Sequence, residues 1–282
     1  MKIGIDAYCF HRYFGEVYDN QQAPGRRISY DDFLDRAVEL GVAGVSLETC
    51  FFESTDDDYF RRMKETLDRG SLECLVAWGH PAGLEGGENL DALADMERYY
   101  PVCHLLGTEV LRMVGSHYGL RNTPHRPQMK RLMTILKEPV RRAEDQGIKL
   151  AMENHYDFTC DEMLEMFETI DSPSFGMTFD TGNAYRYGDD PVDAARKLAK
   201  YIHAIHFKDV APLEDGNPDD WFYNACTPIG QGVLDVPTLV RTLDEAGFDG
   251  IYAIEFDYLD PQFGDEDAAL VASVEYLKSL QA

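Results

Sequence analysis

The chain has 282 residues, with 51 acidic against 26 basic side chains and a formal net charge of −25. That charge repels phosphate backbones and anionic bilayers, so neither nucleic acid nor a membrane is an expected partner. No apolar run approaches a membrane span. The amino terminus meets charge at once, at Lys2 and Asp6, which leaves no room for a signal peptide. Six cysteines, scattered without a Cys-x-x-Cys pair, read as reduced thiols of a cytoplasmic protein.

Strand-like runs alternate with amphipathic helical stretches along the whole chain. Ile3–Ala7 precedes a helix over Tyr30–Leu40, and Gly44–Glu48 precedes one over Tyr59–Arg69. Leu72–Trp78 is followed by a helix over Leu90–Leu106, and Val110–Val114 by one over Met129–Gln146. The second half repeats the pattern. Lys149–Glu153 leads to Asp161–Thr169, Phe175–Phe179 to Pro191–Ala199, Ile202–His206 to Val236–Ala246, and Gly250–Glu255 to Ala268–Leu280. Gly41, Gly70, Gly107, Gly147 and Gly247 stand where left-handed helix stops are wanted. About 35 residues per round, eight times over, predict an α/β fold of the (β/α)8 TIM barrel class, as one domain over residues 1–282.

Two strand-to-helix loops are long, Tyr8–Ser29 and Phe207–Asp235, and belong on the catalytic face of such a barrel. They carry Tyr8, Phe10, His11, Tyr13, Phe14 and Tyr18 in the first, and Trp221, Phe222 and Tyr223 in the second. These rings are candidates to roof a sugar or an aromatic group.

Glu153, Asp180, His206 and Glu255 each close a short apolar run. One acidic residue at a strand end is usually a helix cap, and Asp180-Thr-Gly invites that reading. Four such residues on consecutive parallel strands converge on one mouth, which points to a divalent cation held by three carboxylates and one imidazole. Mostly oxygen donors favour Mn²⁺, with Mg²⁺, Co²⁺ or Zn²⁺ as alternatives. His155 lies two residues beyond Glu153 on the same strand face and is a candidate general base. Trp78, which ends the third strand, and His80, which follows it, are candidate substrate contacts. His203 sits three before His206 and should face the helices. Thr227–Gly232 lacks a phosphate cradle and its loop is acidic, which favours an unphosphorylated substrate.

These motifs resemble the xylose isomerase-like TIM barrels, the sugar phosphate isomerase/epimerase superfamily, along nearly the whole chain. Met152-Glu-Asn-His155 is similar to the family's fifth-strand Glu-Asn-His, and Phe179-Asp-Thr-Gly-Asn183 to its sixth-strand Asp-Thr-Gly. Ile205-His-Phe-Lys-Asp209 matches the seventh-strand His-x-Lys-Asp, Pro228–Gly232 the Gly-x-Gly turn, and Glu255 the eighth-strand ligand.

The resemblance implies metal ligation by Glu153, Asp180, His206 and Glu255. As in the ketose 3-epimerases, it also implies proton transfer by Glu153 and Glu255 at the carbon beside a carbonyl. The expected protein is therefore a metal-dependent isomerase or epimerase of an unphosphorylated sugar, keto-sugar or polyol derivative, with Tyr8, Phe10, Trp78, His80, Asn183 and Lys208 around the substrate. It is expected to be a homo-oligomer.

Two departures favour a lyase of the same fold as the alternative: Asn183 replaces a histidine of the ketose epimerases, and Pro212 replaces an arginine. The lyase candidates are an inosose-type dehydratase and the metal subunit of C-glycoside deglycosidases, which pairs with a small second subunit and where His155 takes the base's place. Asn183 and the acidic balance set aside the DNA-repair endonuclease branch. A non-catalytic sugar-binding barrel is the competing class.

Overall fold

The structure, a computed structural model, describes residues 1–80 and 82–281. Eight parallel strands close a barrel in the order β1 (Lys2–Asp6), β10 (Ile251–Ile254), β7 (Ile202–Phe207), β6 (Phe175–Asp180), β5 (Lys149–Glu153), β4 (Val110–Val114), β3 (Glu73–Ala77) and β2 (Gly44–Glu48). Buried apolar runs without alternation build these strands because both faces are covered, by helices outside and by packed side chains within. Leu75, Ala77 and Ala204 form a small separate cluster, while the large core lies between the strands and the helical ring. Among the described residues no helix is long and apolar enough to cross a membrane.

Local chemistry sets the helix ends. Ser29 and Asp32 make a capping box for α2 (Tyr30–Leu40), as Thr159 and Glu162 do for α8 (Cys160–Ile170). Gly41 ends α2 at φ 62°, as expected of a left-handed stop. Gly70 differs: α3 (Asp57–Gly70) runs through it, and Ser71 takes the left-handed position at φ 55°. A Cβ on Gly70 would stand 2.6 Å from the Val38 side chain, so this glycine serves the close approach of α3 to α2.

Two expected long helices are each broken in two. Leu90–Leu106 is α4 (Leu90–Glu97) and α5 (Tyr100–Leu106), and the Met129–Gln146 stretch is α6 (His125–Ile135) and α7 (Lys137–Asp145). Pro101 and Pro139 account for the breaks, since each lacks an N–H and clashes with the turn before it.

The long loop after β7 contains an antiparallel hairpin that its sequence did not announce, β8 (Asp209–Pro212) with β9 (Asn224–Thr227). The turn that follows it folds around a carboxylate. Backbone N–H groups of Gly230, Gly232 and Leu234 donate to Asp209 at 2.9, 2.9 and 3.1 Å. This segment is an anion nest, and the chain's own Asp209 fills it.

Candidate metal centre and substrate cavity

Strand register brings the expected ligands to one level. Asp180 pairs with His206 across β6 and β7, and Ile254 with Phe207 across β10 and β7, which sets Glu255 beside them. Glu153 ends β5 next to Thr178. One ligand atom from each of Glu153, Asp180, His206 and Glu255 lies within 4.8 Å of all the others, and all four residues are buried. His206 Nδ1 is 2.6 Å from Glu255 Oε2 and 3.5 Å from Glu153 Oε2.

The cluster is close but poorly hydrogen-bonded. Both ring nitrogens of His206, Glu255 Oε2, Asp6 Oδ2 and Ser46 Oγ are buried without an aligned partner. Buried polar atoms are normally satisfied. Of the quartet, His206 Nδ1 and Glu255 Oε2 are left unpartnered and 2.6 Å apart beside the Glu153 and Asp180 carboxylates, a donor set that a divalent cation would satisfy. The buried acidic and histidine group therefore fits a metal ion.

The carboxylates of the cluster favour positive charge at its centre. Burial alone would lower the His206 pKa, yet Glu255 and Glu153 hold it well above the usual imidazole range. Burial likewise opposes ionisation of Glu153, but Arg112 and His206 keep its carboxyl well below the ordinary value. Burial pushes Asp180 up to about 7 despite Lys208, and Asp6 up to about 6 despite His206. A proton on His206 occupies the role that a metal would take over.

Asp180 does two jobs. Its Oδ1 accepts from Asn183 N at 2.8 Å, capping α9 (Thr181–Tyr187), so the helix-cap reading of this residue is real. Its Oδ2 accepts from Lys208 Nζ at 2.6 Å. Lys208 is only 1% exposed and also lies 3.1 Å from Asp257 and 3.3 Å from Glu255. Burial would discharge this lysine, but the three carboxylates raise its pKa well above normal.

Above the cluster opens a cavity of about 340 Å³, lined by Tyr8, His80, His155, Lys208 and Glu255 among the expected residues. His155 presents a buried, unpartnered Nδ1, and burial pushes its pKa down to about 4, so the ring is neutral at physiological pH. Tyr8, with Tyr18 and Trp221, supplies the aromatic wall expected of the long loops.

Three expected substrate contacts are not brought to the cavity. Trp78 points out of the barrel, donating from Nε1 to Asp95 at 3.0 Å and stacking on His80, because it follows inward-facing Ala77 by one residue. Phe10 is buried against Tyr13 and Phe33 in the outer core. Asn183 is buried below the cavity and donates to Glu153 Oε1 at 3.2 Å, so it steadies a candidate ligand instead. His203 faces away from the cluster, against Gly176, as its spacing implied.

Sequence reading missed Asp6, Glu48, Arg112, Asp257 and Arg186. Asp6 lies 3.4 Å from His206 Nε2, and Arg112 bonds Glu153 while standing 3.8 Å from Glu48. Arg186 pairs with Asp257. Asp6 and Glu48 also close apolar runs, so the rule that found the quartet points to them when applied to β1 and β2. Arg112 was visible as one charge inside an apolar strand.

The family model described as xylose isomerase-like TIM barrel matches residues 34–280. The chain belongs to that family. It is 21% identical over 263 residues to the inosose dehydratase of Lacticaseibacillus casei, covering 86% of each chain. Over 129 residues it is 35% identical to the uncharacterized protein MJ1311 of Methanocaldococcus jannaschii, a match spanning 43% of this chain and 41% of that protein. Among solved structures, a D-tagatose 3-epimerase-like protein superposes with TM-score 0.74 at 22% identity, covering 100% of this chain and 97% of that one. The IOLI protein, solved with a bound zinc atom, superposes with TM-score 0.76 at 14% identity, covering 99% and 98%. The names among these relatives and neighbours thus include a dehydratase and an epimerase-like protein.

Proposed function

We propose that the protein is a divalent-metal-dependent enzyme that removes a proton beside the carbonyl of an unphosphorylated sugar, keto-sugar or polyol derivative, acting as an isomerase or epimerase. The observation that carries this reading is the buried group Glu153, Asp180, His206 and Glu255, with ligand atoms within 4.8 Å of one another beneath the cavity. These four residues would hold the ion, and Mn²⁺ suits their donors ahead of Mg²⁺, Co²⁺ or Zn²⁺. The zinc of the IOLI protein is in keeping with a metal on this scaffold. When bound, such an ion polarises a carbonyl or hydroxyl and offsets charge developing on the substrate oxygens.

The chain's own residues supply the rest. His155 is neutral and lines the cavity, so it is placed to take the proton, and Glu255, on the same cavity wall, returns one. Glu153 is the alternative base, but it lies below the lining and is tied to Arg112. The cavity's cations are matched by carboxylates, Arg112 by Glu153 and Glu48, Lys208 by Asp180, Asp257 and Glu255. That balance supports a neutral substrate over a sugar phosphate. Six unpaired cysteines support a reducing, cytoplasmic setting.

A second reading, elimination by a lyase, is favoured by the free Nδ1 of His155 and by the likeness to inosose dehydratase over 86% of both chains. The same proton abstraction followed by loss of hydroxide gives a dehydratase. Metal-loaded protein incubated in D₂O with ketoses, inosose and 3-oxo-glycosides tests both. Isomerisation gives a product of unchanged composition that carries deuterium, and dehydration gives one lighter by water. Neither change with any substrate would sink the proposal.

A further inference from the structure

A second cavity adjoins the one above the cluster, and the proposed chemistry makes no use of it. The two are of similar size, about 340 and 350 Å³, each within the range of small-ligand sites. Tyr118, Tyr156 and Trp221 line both. Tyr156 meets Tyr118 and Trp221 edge-on at centroid separations of 5.8 and 6.3 Å. The Tyr118 hydroxyl donates to the Asp219 carbonyl at 3.0 Å, which ties the loop after β4 to the β8–β9 connection.

Tyr156 has two features that packing does not explain. Its backbone sits at φ 58°, a conformation that bulky residues adopt at a cost. Its hydroxyl is buried without a hydrogen-bond partner, an expense that a native fold rarely leaves uncompensated. Both features lie on the wall between the two cavities.

The lining of the second cavity names its occupant. Asn122, Asp219, Asp220 and Asn224 supply donors and acceptors beside Tyr187 and Tyr223, and the accessible surface of the cavity is mostly polar. Its two guanidinium groups are engaged: Arg186 on Asp257, and Arg121 over the Tyr118 ring at 3.5 Å. Two aspartates and two committed arginines offer little to a phosphate. The mixed polar lining suits a neutral group whose hydroxyls both give and accept hydrogen bonds, with Trp221 as a stacking face.

We propose that the second cavity is a subsite for a glycosyl unit, so that the substrate class is a keto-sugar carrying a second sugar. The keto-sugar lies in the first cavity, the glycosyl unit in the second, and the Tyr156 hydroxyl bonds the ligand where the two meet. This inference rests on the reading of the first cavity as a keto-sugar site.

Calorimetric titration of the metal-loaded protein with D-fructose and with the glucosyl-fructoses turanose, maltulose, leucrose and isomaltulose tests it. At least one disaccharide is expected to bind about tenfold more tightly than fructose, as one or two added hydrogen bonds would give. Tyr156→Phe is expected to remove most of that advantage without lowering Tm, because the lost hydroxyl had no partner in the protein. The exposed pair Asn122→Ala and Asp220→Ala is expected to reduce the advantage while fructose binding stays unchanged.

No tighter binding by any disaccharide overturns the subsite, as does an equal loss for both sugars in the Asn122/Asp220 variant. Tighter competition by p-nitrophenyl glucoside than by the disaccharides overturns it too, in favour of an aromatic occupant. Deuterium exchange in D₂O separates the two readings. A disaccharide advantage without exchange sinks the proton-transfer reading alone, whereas exchange on fructose without the advantage sinks the subsite alone.

Discussion

The two halves of the barrel serve the same cluster differently. β5, β6, β7 and β10 deliver the candidate ligands Glu153, Asp180, His206 and Glu255, whereas β1 and β4 deliver Asp6 and Arg112, which contact His206 and Glu153 from the side, and β2 delivers Glu48 beside Arg112. One half offers lone pairs to a cation, and the other orients and neutralises the groups that offer them. Ligation by the quartet belongs to the first half, while positioning is shared: Arg112 and Asp6 act from the second half, and Lys208 and Asn183 support Asp180 and Glu153 from within the first.

Damage to the ligand half should have the largest effect. Glu255→Gln is expected to lower turnover by about 10²–10⁴-fold, since it removes a proton-transfer group, while leaving the barrel folded. Full activity of a folded variant on the identified substrate would end the role given to Glu255. Damage to the positioning half should instead appear as instability. Arg112→Leu strips the buried counter-charge from Glu153 and Glu48 and is expected to cost about 3–5 kcal/mol, read from denaturant unfolding of metal-free protein. A loss below about 1 kcal/mol would mean that the two carboxylates do not depend on it.

A finer test uses Asp6, which faces the nitrogen of His206 opposite the quartet. Asp6→Asn is expected to weaken Mn²⁺ binding by about 10–100-fold. An unchanged affinity would place Asp6 outside the metal's support.

The smallest effect lies away from both halves, at His203. Burial pushes its imidazole down to about 4, while in the unfolded chain it titrates near the ordinary value of about 6.5. The unfolded state therefore binds the proton first, and stability falls as pH drops from about 6.5 toward 4, by roughly 1–3 kcal/mol. His203→Gln should flatten that part of the Tm profile, and an unchanged slope would assign the loss to other groups.

The same division explains what the sequence revealed. The ligand half was legible because its residues cluster: Glu153, Asn154 and His155 on one strand end, Asp180 to Asn183 on the next, His206 to Asp209 on a third. The positioning half contributes single residues, and Asp6, Glu48 and Arg112 acquire meaning only when strand closure brings them to His206 and Glu153. The barrel itself was legible from its alternating runs, since parallel strands buried on both faces need continuous apolar stretches. The helix breaks at Pro101 and Pro139 lie inside amphipathic stretches whose apolar spacing continues across each proline. The inward or outward direction of Trp78 and Phe10 depends on local register, which an apolar run without alternation does not display.

Whether Glu153, Asp180, His206 and Glu255 form a metal centre is read by calorimetric titration of metal-free protein with Mn²⁺. One ion is expected to bind per chain, with affinity reduced further in a folded Asp180→Asn variant than in Asp6→Asn. Absence of binding, or equal affinity in the wild type and Asp180→Asn, would contradict it.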